Sequence, residues 1–292
     1  RDRAIAARYG NYSFAEVLIF TSKLSDSSFY QINDYLMSKY GIQYNYYSNI
    51  IDNLIPLYIN TSNYSSMILN LCNFNVFQTA NTYTNYGSLS CNFTATTPPS
   101  LTFNGLNGYP TLNFNGTSQN LTTGVTQSFV APMTVISIVR FTNLPAALAT
   151  SRIFTSNSNI YFGLRGNTLI FLAIGVKDYI SSSTTITSTG IWYIIVYRFN
   201  ANFSVDFGLN GSLTYENITG AVNASAGNGT MFIGSNTALG DYFNGDLAHL
   251  SILNTALTNT QINQFVGQLV NQYNLSTTIP QSHPFKSTGP LV

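Results

Sequence analysis

The sequence predicts a mainly β chain: an antiparallel β-sandwich with a C-terminal helix, preceded by the strand-plus-helix end of a second such unit. Three observations predict it. Apolar segments of strand length recur between Gly, Asn and Ser turns from about Asn53 onward. A strand–cap–helix pattern occurs twice. Outside those two patterns no segment carries a sustained helical period.

The repeat comes first because it sets the boundaries. Tyr9 to Ile42 aligns with Tyr242 to Leu275 at an offset of 233 residues without a gap. Tyr9, Asn11, Ala15, Ile19, Leu24, Gln31, Leu36 and Tyr40 meet Tyr242, Asn244, Ala248, Ile252, Leu257, Gln264, Leu269 and Tyr273. In the second copy, Leu247 to Leu253 reads as a strand. Thr258 with Gln261 three residues on is a capping box. Ile262, Phe265, Val266, Leu269 and Tyr273 then recur at helical spacing. The helix ends at Asn274, and the first copy ends at Gly41; both residue types accept the left-handed conformation of a helix C-terminus. Residues 1–43 are therefore expected to be the end of a unit whose start lies upstream. Residues 44–275 form a complete sandwich, and 276–292, with Pro280, Pro284 and Pro290, an extended tail or linker.

Within the sandwich, Phe203, Val205, Phe207 and Leu209 alternate with Ser204, Asp206, Gly208 and Asn210, as a half-buried strand requires. Asn210-Gly211 and Asn244-Gly245 are tight-turn signals.

Ordered motifs then carry a family resemblance. Gly245-Asp-Leu-Ala-His-Leu-Ser-Ile-Leu-Asn-Thr-Ala-Leu-Thr258 resembles the closing signature of laminin G-like, concanavalin A-like jelly rolls, and Ala15 to Ser25 is a second instance. Gly108 to Thr117, Thr134 to Phe141, Ile191 to Val196, Phe207 to Gly211 and Met231 to Gly234 resemble its other strands, in the right order. The resemblance covers residues 100–275 and implies a jelly-roll sandwich with ligand sites on its loops.

Composition limits the partners. Only 7% of residues are charged, against roughly 25% in ordinary soluble domains. Asp52 is the only charge between Gly41 and Val139. Net charge is +1, and five of the eleven basic residues fall in the first 39 positions, so no basic stripe exists for nucleic acid. No apolar run reaches the ~18–20 residues that span a bilayer. Uncharged Asn/Thr/Tyr-rich surfaces suit glycans or packed neighbouring copies, because no charge has to be desolvated; compositional bias of the lineage is the plain alternative. Cys72 and Cys91 both sit in strand-like segments, where a disulfide and two free thiols are both compatible with the sequence. Twelve Asn-x-Ser/Thr sites occur, Asn60, Asn115, Asn210 and Asn228 among them, modestly more than this composition yields by chance.

Catalytic patterns are sparse. The jelly-roll fold includes glucanases that work through paired carboxylates. The only glutamates here, Glu16 and Glu216, have no acidic neighbour, so a glycoside-active enzyme is the remotest reading. His249 sits mid-strand and His283 lies in the Pro-containing tail, so no triad is suggested. No cofactor is expected. The resemblance leaves room for one calcium ion on Asp241, Asp246 or Asp178, although turn aspartates without a metal are commoner. Trp192 matches a core position of the family strand. Loop residues Tyr161, Tyr179 and Tyr242 are the candidate sugar platforms, with Asn236 and Asp241 as orienting groups.

Two functions remain. One is a non-catalytic adhesive surface protein, extracellular or on a virion, with a lectin-like glycan site. The other is a purely structural protein whose copies pack into a fibre or shell.

Overall fold

The computed structural model describes residues 65–72, 82–127, 129–156, 160–173, 177–214, 229–236 and 239–286. The chain divides into two units, Arg1–Asn45 and Tyr46–Val292, and every described residue belongs to the second. The first copy of the repeat, Glu16, Glu216, Asn60 and Asn228 lie outside the described residues.

Alternating segments and short continuous apolar runs produce sixteen strands among the described residues. They are β1 Met67–Leu71, β2 Thr82–Thr84, β3 Asn92–Thr94, β4 Ser100–Leu106, β5 Tyr109–Asn115, β6 Leu121–Gln127, β7 Met133–Phe141 and β8 Thr150–Ser156. There follow β9 Ile160–Arg165, β10 Thr168–Ala173, β11 Lys177–Thr185, β12 Trp192–Phe199, β13 Val205–Leu209, β14 Ser212–Thr214, β15 Gly229–Ile233 and β16 Asn244–Leu253. One helix, α1 Asn259–Gln272, closes the unit.

The strands form two antiparallel sheets. The first runs β14-β13-β12-β7-β16-β5-β4, with β1 also pairing the second half of β16. The second runs β11-β10-β9-β8-β15-β6-β3-β2. The period-2 pattern drives Val135, Val139, Phe141, Tyr197, Phe207, Leu250 and Ile252 of the first sheet onto Phe93, Phe154, Phe162, Leu164 and Ile233 of the second. Aromatic rings fill the middle. Phe154 stacks on Phe162 with centroids 5.1 Å apart, and Phe141 meets Phe243 edge-on at 5.6 Å.

The other face of the first sheet is covered by α1. Ile136, Ile138, Ile194, Val196 and Ala248 pack on Ile262, Phe265, Val266, Leu269 and Tyr273, the stripe expected from sequence. Thr258 and Gln261 make the reciprocal capping box, and Asn274 ends the helix in a left-handed conformation at φ +51°.

Several expectations change. Asn210-Gly211 is a hairpin turn with both residues at positive φ, but Asn244-Gly245 opens β16 instead of turning. Gly245 serves close packing there: a Cβ would lie 2.1 Å from the Arg140 carbonyl oxygen on β7. Phe203 stands in a turn at φ +63°, two residues before the strand it was expected to begin. Residues 276–286 turn repeatedly and do not run extended. Ile279 and His283 are buried, and Lys286 Nζ donates to the carbonyls of Ser276 and Ile279. Cys72 and Cys91 are both free. Cys72 is buried, and burial pushes its thiol up to about 12, so it is inert as a nucleophile.

Candidate functional site

The site is assembled by one loop and two strands. The loop from Gly234 to Phe243 joins β15 to β16. It folds back on itself through Asn236, whose backbone N–H donates to Gly240 O (2.9 Å) and whose Oδ1 accepts from Gly240 N–H (2.7 Å). Leu239 and Asp241 take left-handed backbone conformations, φ +56° and +49°. Asn and Asp tolerate this geometry in turns; leucine does so only under constraint. Strand β8 then holds the loop. Arg152 N–H donates to Asp241 O (2.9 Å), Gly234 N–H to Ile153 O (3.0 Å) and Ser151 Oγ to Tyr242 O (3.4 Å).

The side chains converge on Asp241. Arg152 Nη2 lies 3.0 Å from Asp241 Oδ2, and Asn236 Nδ2 donates to the same oxygen at 3.1 Å. About a third of the Asp241 side chain (33%) remains in solvent. Behind it, the Arg152 guanidinium lies 3.9 Å above the centroid of the Tyr161 ring, a cation–π contact. Arg165 Nη2 approaches Tyr161 Oη at 3.5 Å. Tyr242 is half-buried beside the carboxylate.

Asn236, Asp241 and Tyr242 thus come together as expected, and Tyr161 joins them in a different role. It is only 3% exposed and lies under Arg152, so it supports the arginine and offers no open face to a sugar. Tyr179 does not belong to the site. Its ring is buried in the sandwich core near Phe199, and its hydroxyl donates to Phe203 O at 3.0 Å. Arg152 is the residue that sequence reading missed. It stands alone between Ser151 and Ile153, and only the β8–β9 pairing brings it over Tyr161.

Two of the three carboxylates considered for calcium, Asp241 and Asp246, are engaged by arginine. Asp246 accepts from Arg140 Nε (2.9 Å) and Asn113 Nδ2 (3.1 Å) on the helix-covered sheet, while Asp241 pairs with Arg152 at the other. They do not converge. No group of three or more His, Cys, Asp or Glu side chains suited to a metal occurs among the described residues. Asp178 lies in β11. Trp192 opens β12 and packs half-buried on the helix-side cluster, with Arg140 4.9 Å over its ring. It is neither sandwich core nor an open platform.

Asn115, one of the glycosylation candidates, is exposed, but its Oδ1 accepts from Thr117 and Ser118 N–H in a tight turn. Asn210 Oδ1 is likewise used, accepting from Ile194 N–H at 3.0 Å.

Comparison with known proteins agrees with this architecture. The binding domain of Paraclostridial Mosquitocidal Protein 1 superposes with a TM-score of 0.52 at 14% identity, covering 71% of this chain and 53% of that one. The chain thus spans about half the length of that domain. Domain 4 of AbnA, a GH43 extracellular arabinanase from Geobacillus stearothermophilus, solved in complex with arabinotriose, superposes with a TM-score of 0.52 at 17% identity, covering 68% of this chain and 96% of that one. At these identities the likeness is one of fold. No curated protein matches the chain in sequence. Residues 115–263 match the laminin G-like family of the concanavalin A-like lectin/glucanases superfamily, and the chain belongs to that superfamily.

Proposed function

We infer that this chain is a non-catalytic, lectin-like module of an extracellular or virion-surface protein, and that its rim site holds a neutral glycan. The observation that carries this reading is Asp241. Its carboxylate is oriented by Arg152 and Asn236, yet a third of the side chain stays open to solvent. An oriented carboxylate accepts from sugar hydroxyls, the guanidinium and amide donate to sugar oxygens, and the half-exposed Tyr242 ring offers an apolar face. Arg152 and Asp241 cancel in charge, which suits an uncharged polyol. That a domain of the same fold was solved with arabinotriose supports the ligand class.

Absence of catalysis is supported by the carboxylates. Asp206, Asp241 and Asp246 are each tied to an arginine. Glycosidases need two carboxyl groups facing one bond, about 5–10 Å apart, with one of them protonated as the acid. No helix among the described residues is long and apolar enough to cross a membrane.

A glycan array probed with the full chain in calcium and again in chelator tests the reading. Binding to uncharged oligosaccharides of equal strength in both conditions is expected. Silence in both would reject it.

A further inference from the structure

The chain has two histidines, and both are buried. His249 lies beneath α1, against Phe265 and Tyr273. His283 lies in the segment that follows the helix. Residues 276–286 return onto the fold as a clasp. Thr278 N–H donates to Leu275 O (2.9 Å), His283 N–H to Pro280 O (3.0 Å) and Lys286 N–H to His283 O (3.0 Å). Two glycines receive the clasp. A Cβ on Gly211, in the β13–β14 turn, would lie 2.7 Å from His283 Cδ2 and 3.2 Å from Ile279 Cγ2. A Cβ on Gly267 of α1 would lie 2.5 Å from Phe285 Cβ. The imidazole and the Phe285 side chain thus sit in notches that only glycine leaves open, and the clasp bridges hairpin to helix.

The His283 ring is enclosed but poorly satisfied. Its Nδ1 accepts from Phe285 N–H at 3.3 Å, so the ring proton is on Nε2, and Nε2 is buried without a hydrogen-bond partner. This geometry fits the neutral ring alone. A second proton would go to Nδ1 and point at the Phe285 N–H, setting donor against donor. Among the described residues no carboxylate faces the ring to receive it. The β13–β14 turn offers Asn210, Gly211 and Ser212, and α1 holds no ionisable side chain. The charge acting on His283 is the Lys286 ammonium, itself held inside the clasp by the Ser276 and Ile279 carbonyls. Burial first, and then Lys286, lower the imidazole below its usual 6.5.

We propose that residues 276–286 are an acid-released clasp with His283 as its pin, closed over Gly211 and Gly267 while the ring is neutral and open once it is protonated. An open clasp takes up the proton as a free histidine does, near 6.5, and the closed clasp only at lower pH. Closure is therefore fully favoured above 6.5 and weakens as pH falls below it. A peripheral segment held by few contacts opens well before the sandwich it rests on. In acid the clasp leaves the fold, uncovers the β13–β14 turn and Gly267 of α1, and becomes a free tether after the helix.

Amide hydrogen exchange of the full chain at pH 7.5 and pH 5, corrected for intrinsic rates, tests this beside His283→Asn and Gly267→Ala. The asparagine stays neutral, and its Oδ1 can accept from the N–H two residues on, as Nδ1 does. The methyl group added by Gly267→Ala suits a helix but displaces Phe285. In wild type, protection of the Phe285 and Lys286 amides should fall on acidification by up to roughly thirtyfold, the ceiling set by a free histidine pKa of about 6.5. His283→Asn should hold the same clasp protection at both pH values, and Gly267→Ala should lack it at both. Ring-nitrogen NMR of wild-type His283 gives a second reading that needs no variant, with titration expected below 6.5. Wild-type clasp protection equal at pH 7.5 and 5, a His283→Asn clasp that loosens in acid as wild type does, or a His283 ring titrating at or above 6.5 would overturn the proposal.

Discussion

Asp206 accepts from Arg198 Nε and Nη2 at 2.9 and 2.8 Å and from Asn200 Nδ2 at 2.8 Å, with both charged side chains buried. Arg198 Nη1 continues to Leu257 O and Asn259 Oδ1, tying β12 and β13 to the start of α1. Removing one member of a buried pair strands the other, so Asp206→Ala should cost about 3–5 kcal/mol in chemical unfolding. His249 makes a second residue-scale prediction. Its Nε2 lies 2.7 Å from Ser251 Oγ, which itself donates to Asn70 Oδ1, so Nε2 carries the proton. Nδ1 is buried without a partner beneath Phe265 and Tyr273. Burial lowers the imidazole to about 3 from its usual 6.5. The unfolded state therefore binds the proton first. This contribution is complete above pH 6.5 and falls by about 1.4 kcal/mol per unit as pH drops towards 3. Urea unfolding at pH 7 and pH 4 should show wild type losing about 3 kcal/mol more than His249→Gln. An equal loss in both would remove His249 from the acid response.

Helix α1 was legible almost residue by residue. Its cap, its buried stripe and its left-handed terminus at Asn274 all follow from side-chain chemistry local to a dozen residues. Thr258→Ala should lower stability by about 1 kcal/mol, measured as a shift of the unfolding midpoint with unchanged slope. Strand β13 was legible from its own alternation, whereas β7, β12 and β16, buried on both faces, were legible from their apolar length and the family resemblance. Asn244-Gly245 was misread because the pair is chemically identical in a hairpin and in a crowded strand. What distinguishes them is Arg140 of β7, more than a hundred residues away. The loop from Gly234 to Phe243 is intermediate. Asn236, Asp241 and Tyr242 are close in sequence and were found together. Arg152 and Tyr161 reach the site through strand pairing and were either missed or given the wrong role, while Tyr179 points into the core because its neighbours on β11 set the face it takes.

Charge depletion looks different at the scale of the whole molecule. Arg140, Arg152 and Arg198 each hold an aspartate. In a chain with 7% charged residues these pairs pin strands and loops in place, and the surface is left to hydroxyls, amides and a few aliphatic tips. The rim site is the central claim, and the direct measurement is a glycan-array profile of wild type beside Asp241→Ala and Tyr179→Phe. The account predicts that Asp241→Ala loses the signal and Tyr179→Phe keeps it. A full signal from Asp241→Ala would contradict it.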